Sequence, residues 1–100
     1  MEEVISNEWV GVEHGVATIG ITHAAQKELG DIVYVELPRI GAEIKVGDVV
    51  AVLESTKAAV DIYSPVAGTV VAVNEALHHT SDLINTAPEG AGWLYKLKLS

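Results

Sequence analysis

Two segments, GDVVAVLE at residues 47–54 and GTVVAVNE at residues 68–75, agree at six of eight positions and lie 21 residues apart in the chain. Each begins with a glycine and continues as a Val/Ala run, a pattern typical of a strand entered from a turn. A repeated strand with a connection between the copies predicts a small β fold with an internal quasi-twofold axis. Chance agreement between Val-rich segments is the alternative. The centre of this arrangement lies around residues 53–65.

That central connection contains LESTKAAVD, residues 53–61, in which Lys57 is the only Lys or Arg between Lys45 and Lys96. Its neighbours are small: Ser55, Thr56, Ala58 and Ala59. An exposed lysine is protonated and a poor nucleophile at neutral pH, but an enzyme that presents an activated acid can acylate it. Lys57 is therefore either a solvated turn residue or an acylation site.

Composition narrows the class of protein. The chain has 100 residues, of which 49% are hydrophobic, so we expect a single domain over residues 1–100 with one modest core. Phe is absent, and the core should therefore consist mainly of Val, Ile, Leu and Ala. A net charge of −8 argues against binding to nucleic acid or to an anionic membrane, and favours partners with basic patches. The start of the chain resembles neither a signal nor a transit peptide, so a cytoplasmic location is expected.

The remaining segments predict further strands and few helices. Strands are expected at residues 9–12, 16–21, 32–37 and 93–99, in addition to the two repeated segments. A short helix is expected over residues 24–29, with Thr22 as its N-cap and Gly30 as its C-cap. Residues 38–48 read as a loop, and residues 76–85 as a turn followed by a short helical segment capped by Thr80 or Ser81. In the strand at 32–37, Val33, Val35 and Leu37 should share one face.

The sequence gives no sign of a catalytic or metal site. The chain has no cysteine, which excludes disulfides, thiolate metal ligands and protein thiol chemistry. The four histidines are scattered, and no nucleophile motif such as G-x-S-x-G occurs. Trp9 and Trp93 are expected in the core. We therefore predict no catalytic residues and no metal.

The segment ESTKAAVDIYSPVAGTVVAVNEAL, residues 54–77, resembles the modification site of lipoyl carrier proteins. More closely, the whole chain resembles the glycine cleavage system H protein family. The supporting segments occur in the family's order: EWV (8–10), VATIGITHAAQKELGDIVYVELP (16–38), LIN (83–85) and GWLYKLK (92–98). The resemblance implies a mainly β fold, a flattened barrel of the lipoyl/biotinyl type (a barrel-sandwich hybrid) with one or two short helices.

The resemblance also implies a function. Lipoic acid would be attached to Lys57, within a motif that includes Glu54 and Ala58, by a lipoate-attaching enzyme. The protein would be a monomeric, non-catalytic carrier of the aminomethyl group of glycine. Its partners would be a pyridoxal-phosphate glycine decarboxylase, an aminomethyltransferase and dihydrolipoyl dehydrogenase. Ser6, Glu8 and Asp61 match family positions that shelter the loaded arm; the alternatives are an ordinary exposed charge for Glu8 and a turn former for Asp61.

Three departures from the family pattern leave other functions open. Asn7 stands where the family usually has histidine, and Thr56 where it commonly has valine. The sequence also stops before the family's usual C-terminal helix. An H-like protein acting in lipoate relay or in another redox or protein-modification system is therefore the alternative, and an unmodified interaction domain is a third possibility. Biotin attachment is disfavoured, because biotinylated lysines usually lie between two methionines.

Overall fold

The computed structural model describes residues 7–100 in full and residues 2–5 through their backbone. The strands are β1 (Glu2–Ile5), β2 (Glu8–Glu13), β3 (Val16–Ile21), β4 (Ile32–Glu36), β5 (Glu43–Ile44), β6 (Val49–Ser55), β7 (Ala59–Tyr63), β8 (Gly68–Val73) and β9 (Tyr95–Leu99). The helices are α1 (His23–Leu29), a short 3-10 helix (Glu75–His78) and α2 (Asp82–Thr86).

The strands form two antiparallel sheets that enclose one core. The larger sheet has the order β1-β2-β3-β9-β8-β5, and the smaller has the order β4-β6-β7. The buried residues of both sheets and the helices form a single cluster of aliphatic side chains in which Tyr95 is the aromatic member. The prediction of a mainly β fold in two sheets, with an aliphatic core and few short helices, is confirmed.

The repeat in the sequence corresponds to a repeat in strand pairing. The first copy forms β6 and the second β8, and each is the middle strand between one earlier and one later antiparallel neighbour. The register of β6 against β7 shifts between Val49 and Ala51, and that of β8 against β9 shifts between Val70 and Ala72. These shifts fall at equivalent positions of the two copies. The shared irregularity favours a true internal repeat over chance similarity.

Trp9 ties the larger sheet to the C-terminal loop. Its ring is buried across the β2–β3 pair beside Gly20, and its Nε1 donates a hydrogen bond of 3.0 Å to the Pro88 carbonyl. A Cβ atom at Gly20 would lie 2.7 Å from Nε1 of that ring, so only glycine allows this close approach. The expected burial of Trp9 is confirmed, whereas Trp93 is only partly buried and lies under the Lys96 ammonium at 4.9 Å.

The caps predicted for α1 are both present. The Thr22 hydroxyl accepts a hydrogen bond of 3.1 Å from the Ala25 amide. Gly30 ends the helix at φ 83° and ψ −165°, a conformation that is essentially restricted to glycine, and its amide donates to the Gln26 carbonyl. Ser81 does occupy the N-cap position of α2, but its side chain makes no capping hydrogen bond.

Several sequence-based expectations need correction. Val33 is 56% exposed and does not share the inner face with Val35, because the register between β4 and β6 shifts between Ile32 and Tyr34 and turns Ile32 inward instead. The strands β1, β5 and β7 were not predicted. Residues 43–44, expected in a loop, form β5 and pair with β8, and residues 59–63 of the expected connection form β7 and pair with β6. The last strand begins at Tyr95 rather than Trp93.

None of the helices in the part of the chain described here is long and apolar enough to cross a membrane.

Candidate functional site

Lys57 lies at the tip of the hairpin formed by β6 and β7. A single side chain closes this tip: the Ser55 hydroxyl accepts hydrogen bonds from the amides of Lys57 (3.0 Å) and Ala58 (3.1 Å) and donates to the Ala58 carbonyl (3.1 Å). The Ser55 amide also donates to the Ala58 carbonyl at 2.8 Å. Thr56, Lys57 and Ala58 are all exposed. The turn therefore holds its backbone tightly while it leaves the lysine accessible.

The hairpin tip rests on the segment that joins α1 to β4. The Thr56 amide donates a hydrogen bond of 3.0 Å to the Asp31 carbonyl. The aliphatic stem of Lys57 lies over Gly30, where an added Cβ atom would be 3.4 Å from Cε and 3.7 Å from Cδ. Both contacts come from the two adjacent residues that follow α1, so this segment packs against the hairpin tip and against the stem of Lys57.

The outer face of the smaller sheet is acidic beside this tip. The register aligns two outward-facing rows across β4, β6 and β7: Tyr34, Glu54 and Ala59, then Glu36, Val52 and Asp61. Between them lies the inward row of Val35 and Leu53, both buried. Glu36, Glu54 and Asp61 are exposed, so three carboxylates share the face that ends at Lys57.

Glu8 is a buried carboxylate at the start of β2. It is only 6% exposed, and this burial raises its pKa above the ordinary value of 4.5, while a backbone hydrogen bond opposes the rise. Burial penalises the charged form because protein solvates it less well than water does. A cationic partner would therefore stabilise the charged form of the Glu8 carboxylate.

The buried Tyr95 hydroxyl lies close to both Glu8 and Ser64. Burial raises the pKa of Tyr95 to about 12, the nearby Ser64 hydroxyl lowers it, and the Glu8 charge raises it further. Ser64 is 2% exposed and donates a hydrogen bond of 2.6 Å to the Val66 carbonyl. The Tyr95 hydroxyl is buried, and none of residues 7–100 offers it a hydrogen-bond partner; Ser64 is close enough to influence its pKa but does not satisfy it.

The structure brings some of the predicted site residues together and separates others. Glu54, Lys57, Ala58 and Asp61 all belong to the β6–β7 hairpin or its tip. Glu8 belongs to the larger sheet and is not the exposed charge of the alternative interpretation; Asp61 lies within β7 rather than in a turn. The predicted position Ser6 lies outside the described residues.

Sequence reasoning missed the residues that shape the tip. Nothing in LESTKAAVD distinguished Ser55 from the other small residues beside Lys57. The available signal was general: a serine hydroxyl can accept hydrogen bonds from backbone amides two or three residues further along the chain and so form a turn. Asn85 was quoted only within a family segment, and its contacts with β4 involve residues more than 50 positions away. A local pattern carries no signal for such a contact.

Comparisons with known proteins agree with this architecture. The family model described as glycine cleavage H-protein matches residues 2–100. The chain belongs to the glycine cleavage H-protein family. It is 55% identical over 95 residues to the glycine cleavage system H protein of Thermotoga maritima, which covers 95% of this chain and 77% of that protein. It is 54% identical over 99 residues to the H protein of a Psychrobacter species, covering 98% of this chain and 79% of the relative.

A solved structure supports the same assignment at the level of the fold. The crystal structure of a glycine cleavage system H protein from Mycobacterium marinum superposes with a TM-score of 0.92 and 34% sequence identity. The match covers 99% of this chain and 83% of that one. The family resemblance predicted from the sequence is thereby confirmed, together with the two-sheet fold that it implied.

Proposed function

We propose that the protein is a lipoylated carrier of the glycine cleavage system, a single monomeric domain over residues 1–100 that acts in the cytoplasm and catalyses no step itself. Lys57 is the attachment point for lipoic acid, and Glu54 and Ala58 belong to the surface that the attaching enzyme recognises. The partners are glycine decarboxylase, aminomethyltransferase and dihydrolipoyl dehydrogenase. Membership of the H-protein family supports this proposal.

The observation that carries the proposal is the presentation of Lys57. Its neighbours at the tip are small and exposed, its turn is closed by Ser55, and its stem lies against glycine. A long lysine stem on a fixed turn gives an attaching enzyme access to the amine. When attached, lipoic acid supplies a redox-active disulfide that accepts and releases the aminomethyl cargo, chemistry that a chain without cysteine lacks.

The carboxylates have a separate role toward the cargo. The aminomethyl group is an amine and is cationic at neutral pH, so oxygen acceptors and negative charges favour it. Glu8 offers a buried carboxylate whose pKa is raised by burial, and Asp61 an exposed one on the hairpin that bears Lys57. We assign them, with Ser6, to sheltering the loaded arm. The acidic outer face with Glu36 and Glu54 suits partner surfaces that carry basic residues.

Exchange of carbon dioxide with glycine tests the carrier function directly. The lipoylated protein is mixed with a matched glycine decarboxylase and labelled bicarbonate, and label entering glycine is measured. We expect exchange that depends on lipoylation and is absent from Lys57→Arg. A fully lipoylated protein that supports no exchange would overturn the assignment to glycine cleavage and favour the relay function.

The sheltering role has its own measurement. The arm is loaded, and release of the aminomethyl group is followed without partner enzymes in Glu8→Gln, Asp61→Asn and the control Glu13→Gln, which alters an exposed carboxylate on the same strand as Glu8. Release should be faster in the first two variants and unchanged in the control. Release at the wild-type rate from both Glu8→Gln and Asp61→Asn would exclude the role.

A further inference from the structure

The Asn85 side chain, on α2, uses both its Oδ1 and its Nδ2 to hold the start of β4. Its Oδ1 accepts from the Ile32 amide at 2.8 Å and from Gln26 Nε2 at 3.2 Å. Its Nδ2 donates to the Ile32 carbonyl at 3.2 Å and to the Asp82 carboxylate at 3.1 Å. The amide thus pairs with both backbone groups of Ile32, as a neighbouring strand would. Because β4 is an edge strand, this pairing occupies its open side.

The other side of the same segment supports the hairpin tip. Ile32 pairs with Ser55 in the sheet, and the Asp31 carbonyl accepts from the Thr56 amide at 3.0 Å. Gln26, which Asn85 holds, also donates from Nε2 to the Gly30 carbonyl at 3.3 Å. Gly30 is the residue over which the Lys57 stem lies. A continuous set of hydrogen bonds and one packing contact therefore connects α2 to the lysine.

We propose that Asn85 is a positioning residue for Lys57. It fixes residues 30–32 from the outer side of β4, so that the hairpin tip is presented to the attaching enzyme in one orientation. This inference rests on the proposed function of Lys57 as the attachment point. Asn85 does not contact Lys57, and the proposed role requires no contact between Asn85 and a partner enzyme.

Loss of the Asn85 amide removes partners from both Ile32 backbone groups and from Gln26. Residues 30–32 then keep their contacts with the hairpin tip but lose those on the outer side of β4. The tip therefore populates orientations that the attaching enzyme does not accept. When only a fraction of the molecules has the tip in the orientation that the enzyme binds, the apparent affinity equals the intrinsic affinity multiplied by that fraction. The effect should therefore be a rise in KM for attachment with kcat unchanged.

Asn74 provides a matched control. It is a buried asparagine whose Nδ2 donates to the carbonyls of Ala91 and Trp93, each at 2.8 Å. Asn74→Ala thus also removes two side-chain-to-backbone hydrogen bonds, but from a loop that does not support the hairpin tip. Any effect of general destabilisation should appear in both variants.

The experiment compares wild type, Asn85→Ala, Asn85→Asp and Asn74→Ala at a temperature where all are folded. Lipoate ligase, ATP and lipoate are added, attachment is followed by intact mass, and hydrogen exchange of the Thr56 amide is followed by NMR. We expect Asn85→Ala to raise KM about fivefold and to speed Thr56 exchange. Asn85→Asp keeps an acceptor for the Ile32 amide but places a carboxylate oxygen against the Ile32 carbonyl and the Asp82 carboxylate, so it should also raise KM and speed Thr56 exchange. Asn74→Ala should match the wild type in both measurements.

Equal KM and equal Thr56 exchange in Asn85→Ala and Asn74→Ala would overturn the inference. If Asn85→Ala does not fold, Asn85→Asp decides by the same comparison. Failure of the wild type to accept lipoate would overturn the proposed function instead. Thr56 exchange, which needs no lipoate, would then decide the positioning role alone: wild-type protection in the Asn85 variant rejects it, and accelerated exchange retains it.

Discussion

At the scale of single residues, the Glu8 carboxylate has the clearest physical consequence. Burial raises its pKa, so between the ordinary value of 4.5 and the folded-state value the folded protein holds a proton that the unfolded chain has released. Stability from this group is therefore fully present below pH 4.5 and is lost as the pH rises through the folded-state pKa.

The variant Glu8→Gln isolates this effect, because glutamine does not titrate. Relative to the wild type, Glu8→Gln should become progressively more stable as the pH rises above about 4.5. The measurement is the free energy of unfolding in urea for both proteins across pH 4 to 8, a range chosen to span roughly the usual carboxylate titration. A difference that does not vary with pH would show that the Glu8 pKa is not raised.

The sequence was informative about Lys57, but beyond the family resemblance it did not indicate that Glu8 is buried. Lys57 stood out because its charge is isolated and because it lies between two copies of a repeat. Burial of Glu8 has no comparable signal, since glutamates are mostly exposed and its inward orientation depends on how β2 packs against the rest of the molecule. The same holds for the Tyr95 hydroxyl, whose neighbours Ser64 and Glu8 come from distant parts of the chain.

At the scale of elements, the tip of the β6–β7 hairpin is held by the hydrogen bonds of one hydroxyl, that of Ser55. Ser55→Ala removes three hydrogen bonds at the tip and should lower the free energy of unfolding by about 1 kcal/mol. The matched control is Ser81→Ala, since Ser81 occupies the N-cap position of α2 without a capping hydrogen bond from its side chain. The control should stay within about 0.5 kcal/mol of the wild type in chemical denaturation. Equal losses in the two variants would show that the Ser55 contacts do not stabilise the turn.

Elements were predicted well where their signals are local. Thr22 and Gly30 bound α1 as expected, because capping depends on residues within one turn of the helix end. The inward face of β4 was predicted wrongly, because simple alternation assumes a regular pleat and the irregularity at Val33 interrupts it. The two-residue strand β5 is defined by its pairing with β8, which the sequence of β5 alone does not encode.

At the scale of the whole molecule, Trp9 joins β2, β3 and the C-terminal loop. Gly20→Ala would place a Cβ atom 2.7 Å from Trp9 Nε1, which forces the ring or the sheet to move and should cost about 2 kcal/mol. Gly11→Ala is the control, because its Cβ would lie at an ordinary 3.6 Å from Trp9 Cζ3. The measurement is thermal unfolding with tryptophan fluorescence as the probe. Equal stability of the two variants would show that Trp9 adjusts without strain.

The repeat predicted a small β fold with an internal quasi-twofold axis, and the resemblance to the H-protein family implied the flattened barrel-sandwich architecture. The sequence did not reveal how the edges are completed. β1 pairs with β2 at one edge, and Asn85 occupies the open side of β4 at another. The β1–β2 pair joins neighbouring segments of the chain, whereas the Asn85 contact joins residues 53 positions apart, and a local pattern carries no signal for it.

Intact mass of the protein after incubation with lipoate ligase, ATP and lipoate is the most direct measurement of the role of Lys57. The wild type should gain the mass of one lipoyl group. Lys57→Arg should gain none and should unfold at the same temperature, because the tip is exposed and a guanidinium is not a substrate for acylation. A wild type that stays unmodified, or a Lys57→Arg variant that gains the same mass, would show that Lys57 is not the attachment point.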